Sequence, residues 1–256
     1  MPKITAIIPA RYESTRFPKK LVYELLGKPI IIAVYDNVKA TKKIDDCIVA
    51  TDSKEIMDIC EKNNAKAVMT SSEHTSGTSR IIEVAKKIES DIIINVQGDE
   101  PLIDESVLNP LIDAFDDENV DIATLKTKID DDSPLIKDEN AVKVVTDINN
   151  YAMYFSRATI PHKRFDQNIS AEYYKHIGVY AFRKDILLKI EKLEECRYEL
   201  IEKLEQLRWL YNGMKIKVLE TKKFLHGIDT REDLEFVQNY LRNFAQSELN
   251  NENLYK

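Results

Sequence analysis

Glycine is scarce in this chain. Its 256 residues contain six, Gly27, Gly77, Gly98, Gly178, Gly213 and Gly227, and no two lie within ten positions of each other. Neither GxGxxG nor GxxxxGKS/T can be written anywhere, which excludes the usual dinucleotide fingerprint and the P-loop. Any phosphate must be held another way. Cysteine is equally sparse: Cys47, Cys60 and Cys196 are odd in number, far apart and in no CxxC pair. Neither a disulfide framework nor a zinc site is indicated, and buried free thiols are expected. No apolar run approaches the roughly 20 residues of a membrane span, and Met1-Pro2-Lys3 leads into a strand instead of a signal-peptide apolar region, so a cytoplasmic protein is expected. Basic blocks are missing too. With a net charge of -7 and a pI near 5.3, a nucleic-acid partner is not expected.

Against this acidic background one segment is cationic. From Met1 to Lys28 six basic residues, Lys3, Arg11, Arg16, Lys19, Lys20 and Lys28, stand against Glu13 and Glu24. Ile4 to Ile8 reads as a buried strand that runs into a polar loop, Pro9 to Lys20. A strand that delivers Arg11, Arg16 and Lys20 to the C-terminal edge of an α/β sheet places them where such folds bind ligands. A nucleoside triphosphate suits that charge; a solvated loop is the alternative reading.

The following chain alternates strand and helix. Ile30, Ile31, Val34 and Val38 recur at helical spacing behind Pro29, Cys47 to Ala50 is a strand, and Asp52 or Ser53 caps the helix that carries Ile56, Ile59 and Cys60. Ala65 to Met69 is a short strand, Thr70 to Thr78 a polar loop, and Ile81 to Ile88 a helix. Ile92 to Val96 then feeds Gln97-Gly98-Asp99-Glu100-Pro101, which repeats the topology of the first loop. A regular alternation of this kind implies right-handed crossovers and a mostly parallel sheet. Asp99 thereby reaches the edge that carries Arg11 and Arg16. There it suits Mg²⁺, which favours one or two carboxylates plus phosphate oxygens, or it is a turn acid before the next helix.

From Val120 the rhythm changes. Ile122 to Leu125 and Val142 to Val145 read as strands around an acidic linker, 129 to 140. Tyr151 to Phe155 and Tyr173 to Phe182 are further strands, the second with His176 and Tyr180 on one face. Glu195 to Tyr211 reads as a single helix with the apolar stripe Leu200, Ile201, Leu204, Leu207 and Tyr211, Glu205 and Gln206 beside the stripe, and Gly213 as its stop. Met214 to Leu219 is a strand. Asp229 precedes a last helix bearing Leu234, Val237, Leu241 and Phe244, as an N-cap or in a functional role. Residues 246–256 form a polar tail expected to fray.

Eight blocks in this order resemble a known family: the first loop with its IPAR and STR-P-K elements, Val49-Ala50-Thr51-Asp52, Ser76-Gly77-Thr78-Ser79-Arg80, Asn95 to Pro101, Tyr154-Phe155-Ser156-Arg157-Ala158, Lys175 to Tyr180, Leu204 to Arg208, and Gly227-Ile228-Asp229-Thr230. Together they are similar to the 3-deoxy-manno-octulosonate (Kdo) cytidylyltransferases, a branch of the sugar nucleotidyltransferases. The fold this implies is α/β, a three-layer α/β/α, Rossmann-like nucleotidyltransferase sheet with a smaller second-half sugar-binding and dimerisation subdomain. On that reading, residues 1–245 are a single domain, with a nucleotide-binding half at 1–120, the sugar-binding and dimerisation half at 121–213 and a return to the main sheet at 214–245.

The resemblance implies that Arg11, Arg16 and Lys20 bind the CTP triphosphate, with Ser76, Arg80 and Gln97 placing the nucleotide. Asp99 and Asp229 hold Mg²⁺, and Gln97, Arg157, His176, Tyr180, Glu205 and Gln206 form the sugar-acid site. Arg11, Lys20, Asp99 and Asp229 are the expected catalytic group. The reaction implied is attack of the Kdo anomeric hydroxyl on the α-phosphate of CTP, giving CMP-Kdo and pyrophosphate. The competing readings are an enzyme for a related acidic sugar, of the 8-amino-Kdo or sialic-acid type, and a non-catalytic nucleotide-binding regulator. A homodimer and a role in lipopolysaccharide or capsule synthesis are further implications. Two positions depart from the family pattern: Lys19 stands where a glycine is common, and Ser79 where an acid is common.

Overall fold

The first strand is apolar along its whole length and buried at all seven positions, Ile4–Ala10. A strand covered on both faces belongs in the middle of a sheet with helices on either side. The computed structural model of the chain, which describes residues 2–12, 16–164 and 171–254 (main chain only at 245 and 247–254), places it there. In chain order the strands are β1 (Ile4–Ala10), β2 (Glu24–Leu25), β3 (Lys28–Pro29), β4 (Asp46–Thr51), β5 (Ala67–Met69), β6 (Ile92–Asn95), β7 (Ile122–Ile129), β8 (Lys143–Thr146), β9 (Ala152–Ser156), β10 (Tyr173–Arg183) and β11 (Ile216–Glu220). The helices are α1 (Ile30–Lys39), α2 (Lys54–Lys62), α3 (Gly77–Ala85), α4 (Glu105–Asp113), α5 (Lys184–Ile190), α6 (Arg197–Glu202), α7 (Gln206–Tyr211) and α8 (Arg231–Leu254).

The main sheet runs β11-β7-β10-β6-β1-β4-β5, with β8 and β9 added beside β10. β1 pairs in parallel with β4 and β6, and β11 with β7, while β10 is antiparallel to both its neighbours β6 and β7. The result is the mostly parallel α/β sheet expected from the alternation of elements. Period two along β1 sends Ala6 and Ile8 into one core with α1, α4 and α8, and Ile7 into another with α3, α5 and α7. The sheet is therefore sandwiched, and the C-terminal ends of β1, β4 and β6 open onto one edge.

Four features differ from the sequence reading. The helix expected over 195–211 is two short ones, because Lys203 adopts a left-handed φ of 54° and ends α6. The break turns Leu200, Ile201 and Tyr211 outward, while Leu204 and Leu207 stay buried. Gly77 already lies inside α3, whose N-cap is Ser76, so the polar loop is shorter than expected. Leu26 and Gly27, both at positive φ, close a small β2-β3 hairpin. Last, α8 continues through the polar tail to residue 254. The three thiols are free and buried as expected, and burial raises the pKa of Cys47 to about 12.

Candidate active site

Three loops meet at the sheet edge. The first leaves β1 through Arg11, passes Glu13, Ser14 and Thr15, which lie outside the described residues, and returns at Arg16 to a short 3₁₀ turn at Lys20–Val22. The second is Gln97 to Glu100 after β6. The third is the segment before α8 that carries Asp229. Close approach is what the glycines provide: a Cβ on Gly98 would stand 3.2 Å from the Pro9 carbonyl oxygen and 3.3 Å from Leu21 Cδ1, so the first two loops pack main chain against main chain. Gly227 is tighter still, since a Cβ there would come within 2.9 Å of Glu100 Oε1. The Ile228 amide donates to the Asp99 carbonyl at 2.9 Å, which docks the third loop on the second.

Lys20 is the centre of this meeting. Its ammonium donates to Asp99 Oδ2 at 2.5 Å and to Asp229 Oδ1 at 2.8 Å, and only 12 % of the side chain is exposed. Burial by itself would lower its pKa, but the Asp99 and Asp229 carboxylates outweigh that and raise it, so the charge is fixed. Arg16 adds a more exposed contact to Asp229 Oδ2 at 2.9 Å. Neither acid is a mere turn or cap residue. Asp104, not Asp99, caps α4, and the Asp229 carboxylate is turned to Lys20 and Arg16.

Beside this cluster is a cleft of about 390 Å³ lined by Arg11, Lys20, Ser76, Gly77, Gln97 and Asp99 among others. Its far wall is the N-terminus of α3, where Ser76 accepts from the Ser79 amide. Polar contacts then continue away from the cleft: Ser76 and Thr78 donate to the two oxygens of Glu205, at 3.3 and 2.7 Å. Glu205 is the N-cap residue of α7 because of the break at Lys203, which the sequence did not reveal. Burial pushes its carboxyl pKa up, offset in part by those hydroxyls and by Arg208. Gln206 is buried beside it.

On β10 a bulge between Ile177 and Tyr180 alters the strand register, yet His176 and Tyr180 remain neighbours with ring centroids 5.4 Å apart. His176 Nε2 lies 3.0 Å from Thr124 Oγ1. Burial, with Lys175 as a lesser cause, lowers the imidazole pKa to about 3, so the ring is neutral. The buried Tyr180 hydroxyl makes no well-formed hydrogen bond among the described residues, and burial raises its pKa, with the Glu205 carboxylate adding to the effect and the Thr124 hydroxyl opposing it. A phenol can both donate to and accept from a polar ligand.

Two expected site residues are heavily engaged with the protein itself. Arg80 was expected to place the nucleotide, but it is fully buried, bonded to Thr70 Oγ1 and Asp52 Oδ2 at 2.6 Å each. It ties the loop before α3, at Thr70, to Asp52 after β4, and it is not among the residues that line the cleft. Arg157 was expected in the sugar-acid site. Its guanidinium donates to the main-chain carbonyls of Glu202, Glu139 and Lys203, and Glu202 accepts from its amide and from Ser156. Three of its five N–H groups are thereby engaged among the described residues.

Sequence reasoning missed two residues. Glu100, packed under Gly227, has its pKa raised to about 7 by burial and the neighbouring Asp99 charge. Asp233 exchanges hydrogen bonds with Thr230, accepting from its amide at 2.8 Å while its own amide donates to Thr230 Oγ1 at 3.1 Å. The Thr-x-x-Asp spacing of a capping box was the available signal for Asp233; burial of one acid in an acid pair leaves no signal for Glu100.

The cytidylyltransferase family model matches residues 5–216. A 3-deoxy-manno-octulosonate cytidylyltransferase from Fusobacterium nucleatum is 48% identical over 94% of this chain and 97% of its own length. The chain belongs to the 3-deoxy-manno-octulosonate cytidylyltransferase family. Another member, from Koribacter versatilis, is 45% identical, over 94% of this chain and 90% of its own. Among solved structures, a CMP:2-keto-3-deoxy-manno-octonic acid synthetase complexed with CTP superposes with a TM-score of 0.89 at 37% identity, covering 94% of this chain and 99% of that one. The family resemblance seen in eight separate blocks therefore extends through the whole sheet.

Proposed function

We propose that this chain transfers the cytidylyl group of CTP to Kdo, giving CMP-Kdo and pyrophosphate. The observation that carries this reading is a polar cleft lined by Arg11, Lys20, Asp99, Gln97 and Ser76, with Ser76 hydrogen-bonded to Glu205 beyond it. The cleft suits a triphosphate, and the side chains around Glu205 suit a polyhydroxy acid next to it. The kinship with enzymes named for this reaction supports the choice of substrates.

The cations do the first work. Arg11, Arg16 and Lys20 neutralise the triphosphate, arginine by planar paired contacts and lysine as a point charge. Glu205, Gln206, Tyr180 and the neutral His176 hold sugar hydroxyls, and Arg157 offers its guanidinium, two of whose N–H groups have no partner among the described residues, to the sugar carboxylate. The anomeric oxygen then attacks the α-phosphorus in line, the bond from that phosphorus to the oxygen bridging to the β-phosphate breaks, pyrophosphate leaves, and the hydroxyl proton passes to solvent water. Alignment and charge neutralisation are what this displacement needs, and no covalent nucleophile is called for.

The residues fit Mg²⁺. Two carboxylates from different loops converge on a single cationic centre, the Lys20 ammonium, at the rim of the phosphate cleft. Among the described residues no group of three or more acids, histidines or cysteines offers a complete protein cage, which suits an ion that takes its other ligands from phosphate and water. Asp99 and Asp229 would hold it, and it would supply Lewis-acid polarisation of the α-phosphate. Lys20 would exchange its carboxylates for phosphate oxygens.

A homodimer fits the exposed apolar side chains of the second half, Met153, Tyr198, Ile201 and Tyr211. We place the enzyme in the cytoplasm, consistent with the absence, among the described residues, of any helix long and apolar enough to cross a membrane. Its product would enter lipopolysaccharide or capsule synthesis. The test is CTP-dependent pyrophosphate release with a panel of sugar acids. Release with Kdo is expected; release only with 8-amino-Kdo or a sialic acid would move the substrate, and release with none would leave a nucleotide-binding regulator.

A further inference from the structure

Asp233 makes more hydrogen bonds than a helix cap requires. A capping box needs only the reciprocal pair with Thr230. The Asp233 carboxylate also accepts from the Thr230 hydroxyl at 2.9 Å, from the Asp229 amide at 3.0 Å and from His226 Nε2 at 2.7 Å. These last two partners belong to the loop that carries Asp229 into the site. The same loop is held at its other side by the Ile228 amide on the Asp99 carbonyl. Successive amides, 228 and 229, are thus tied to two different anchors. One anchor is the loop of Asp99 itself, and the other is the first turn of α8.

We propose that Asp233, oriented by His226, is a positioning residue that aims the Asp229 carboxylate at Asp99 and so sets the cation affinity of the pair. The inference rests on the reading of Asp99 and Asp229 as metal ligands. Two oxygens that must meet one ion from separate loops gain affinity only if each loop is held in advance, since ordering a loop on binding subtracts from the binding free energy. Tying the Asp229 main chain to a carboxylate inside a helix start couples the loop to α8. His226 fixes which way that carboxylate faces: it occupies Oδ1, leaving Oδ2 for the amides of Asp229 and Thr230. The imidazole is itself placed by Phe236, with ring centroids 4.8 Å apart.

The experiment measures Mn²⁺ binding to the full chain by electron paramagnetic resonance, alongside the Mg²⁺ dependence of pyrophosphate release and the melting temperature. Asp233→Asn keeps the shape but offers one acceptor oxygen to donors that now have two. It is expected to weaken Mn²⁺ binding about ten-fold or more and to raise the half-saturating Mg²⁺ by the same factor, with kcat at saturating Mg²⁺ falling less. Thr230→Val is the control for the cap: it removes the hydroxyl partner, lowers the melting temperature and leaves Mn²⁺ affinity near that of the unaltered chain. His226→Phe keeps the ring stacking and removes the hydrogen bond, and is expected to weaken Mn²⁺ binding about three-fold, an effect that stays readable should Asp233→Asn fail to fold. Loss of stability in either variant with unchanged Mn²⁺ affinity would reduce Asp233 to a cap and overturn the proposal. If the unaltered chain binds no Mn²⁺ at all, the metal reading fails instead, which is a separate result.

Discussion

The carboxylate of Asp229 lies 2.8 Å from the same ammonium that contacts Asp99 at 2.5 Å, although the two acids come from the end of β6 and the start of α8. Lys20 is therefore the internal counter-ion of an acid pair, and a divalent cation at that pair must compete with it. Lys20→Met is expected to act in opposite directions on the two ligands. Without nucleotide, Mn²⁺ should bind about ten-fold tighter, because a charge only a few ångströms away has been removed. Turnover should fall about a hundred-fold or more, because the phosphate has lost a fixed donor. Calorimetric titration with Mn²⁺ and a pyrophosphate-release assay read the two effects, and weaker metal binding in the variant would contradict the competition.

Asp99→Asn and Asp229→Asn each keep side-chain volume while removing one charge. Each is expected to cost about a hundred-fold or more in kcat with far-UV circular dichroism unchanged, since neither acid is buried in a core. Asp99→Asn leaves Lys20 paired with Asp229, and Asp229→Asn leaves it paired with Asp99, so folding has a remaining partner in both. Full turnover by both variants would remove the metal assignment.

Arg80 separates a nucleotide contact from a structural one. Arg80→Met leaves Asp52 and Thr70 facing an apolar side chain in a buried site, and breaking such a pair costs about 3 kcal/mol. Urea unfolding should show that loss, while KM for CTP in the folded fraction changes little. A KM increase of ten-fold or more with stability preserved would restore the direct contact with the nucleotide.

The sequence made some of these placements legible and not others, for physical reasons. An apolar strand ending in charge must deliver that charge to the sheet edge, so the pattern of the chain already brings Arg11, Lys20 and Asp99 together. His176 and Tyr180 share one neighbourhood as period two suggests, in spite of the bulge at Gly178 and Val179. The helix over 195–211 could not be divided by periodicity, because its apolar spacing runs on through Lys203 and only the left-handed φ there breaks it. The nucleotide role of Arg80 came from the family resemblance alone, and its burial was not legible: arginine is seldom fully buried, and its partner Asp52 comes from the neighbouring strand end, 28 positions earlier.

His176 gives the chain a pH dependence with a definite sign. In the folded protein its pKa is lowered to about 3, mainly because its ring is desolvated between Phe155 and Tyr180, against 6.5 when unfolded. Between those values the unfolded chain binds the proton and the folded one does not, so this residue's contribution is intact above pH 6.5 and is lost as pH falls towards 3. Its slope cannot exceed about 1.4 kcal/mol per pH unit, the limit for one proton. His176→Gln removes the titration while keeping a polar group for Thr124. Urea unfolding through this window should therefore show a shallower loss of stability in the variant, even if it is less stable at neutral pH. An identical slope in both proteins would mean that the imidazole takes up its proton in the folded chain as readily as in the unfolded one.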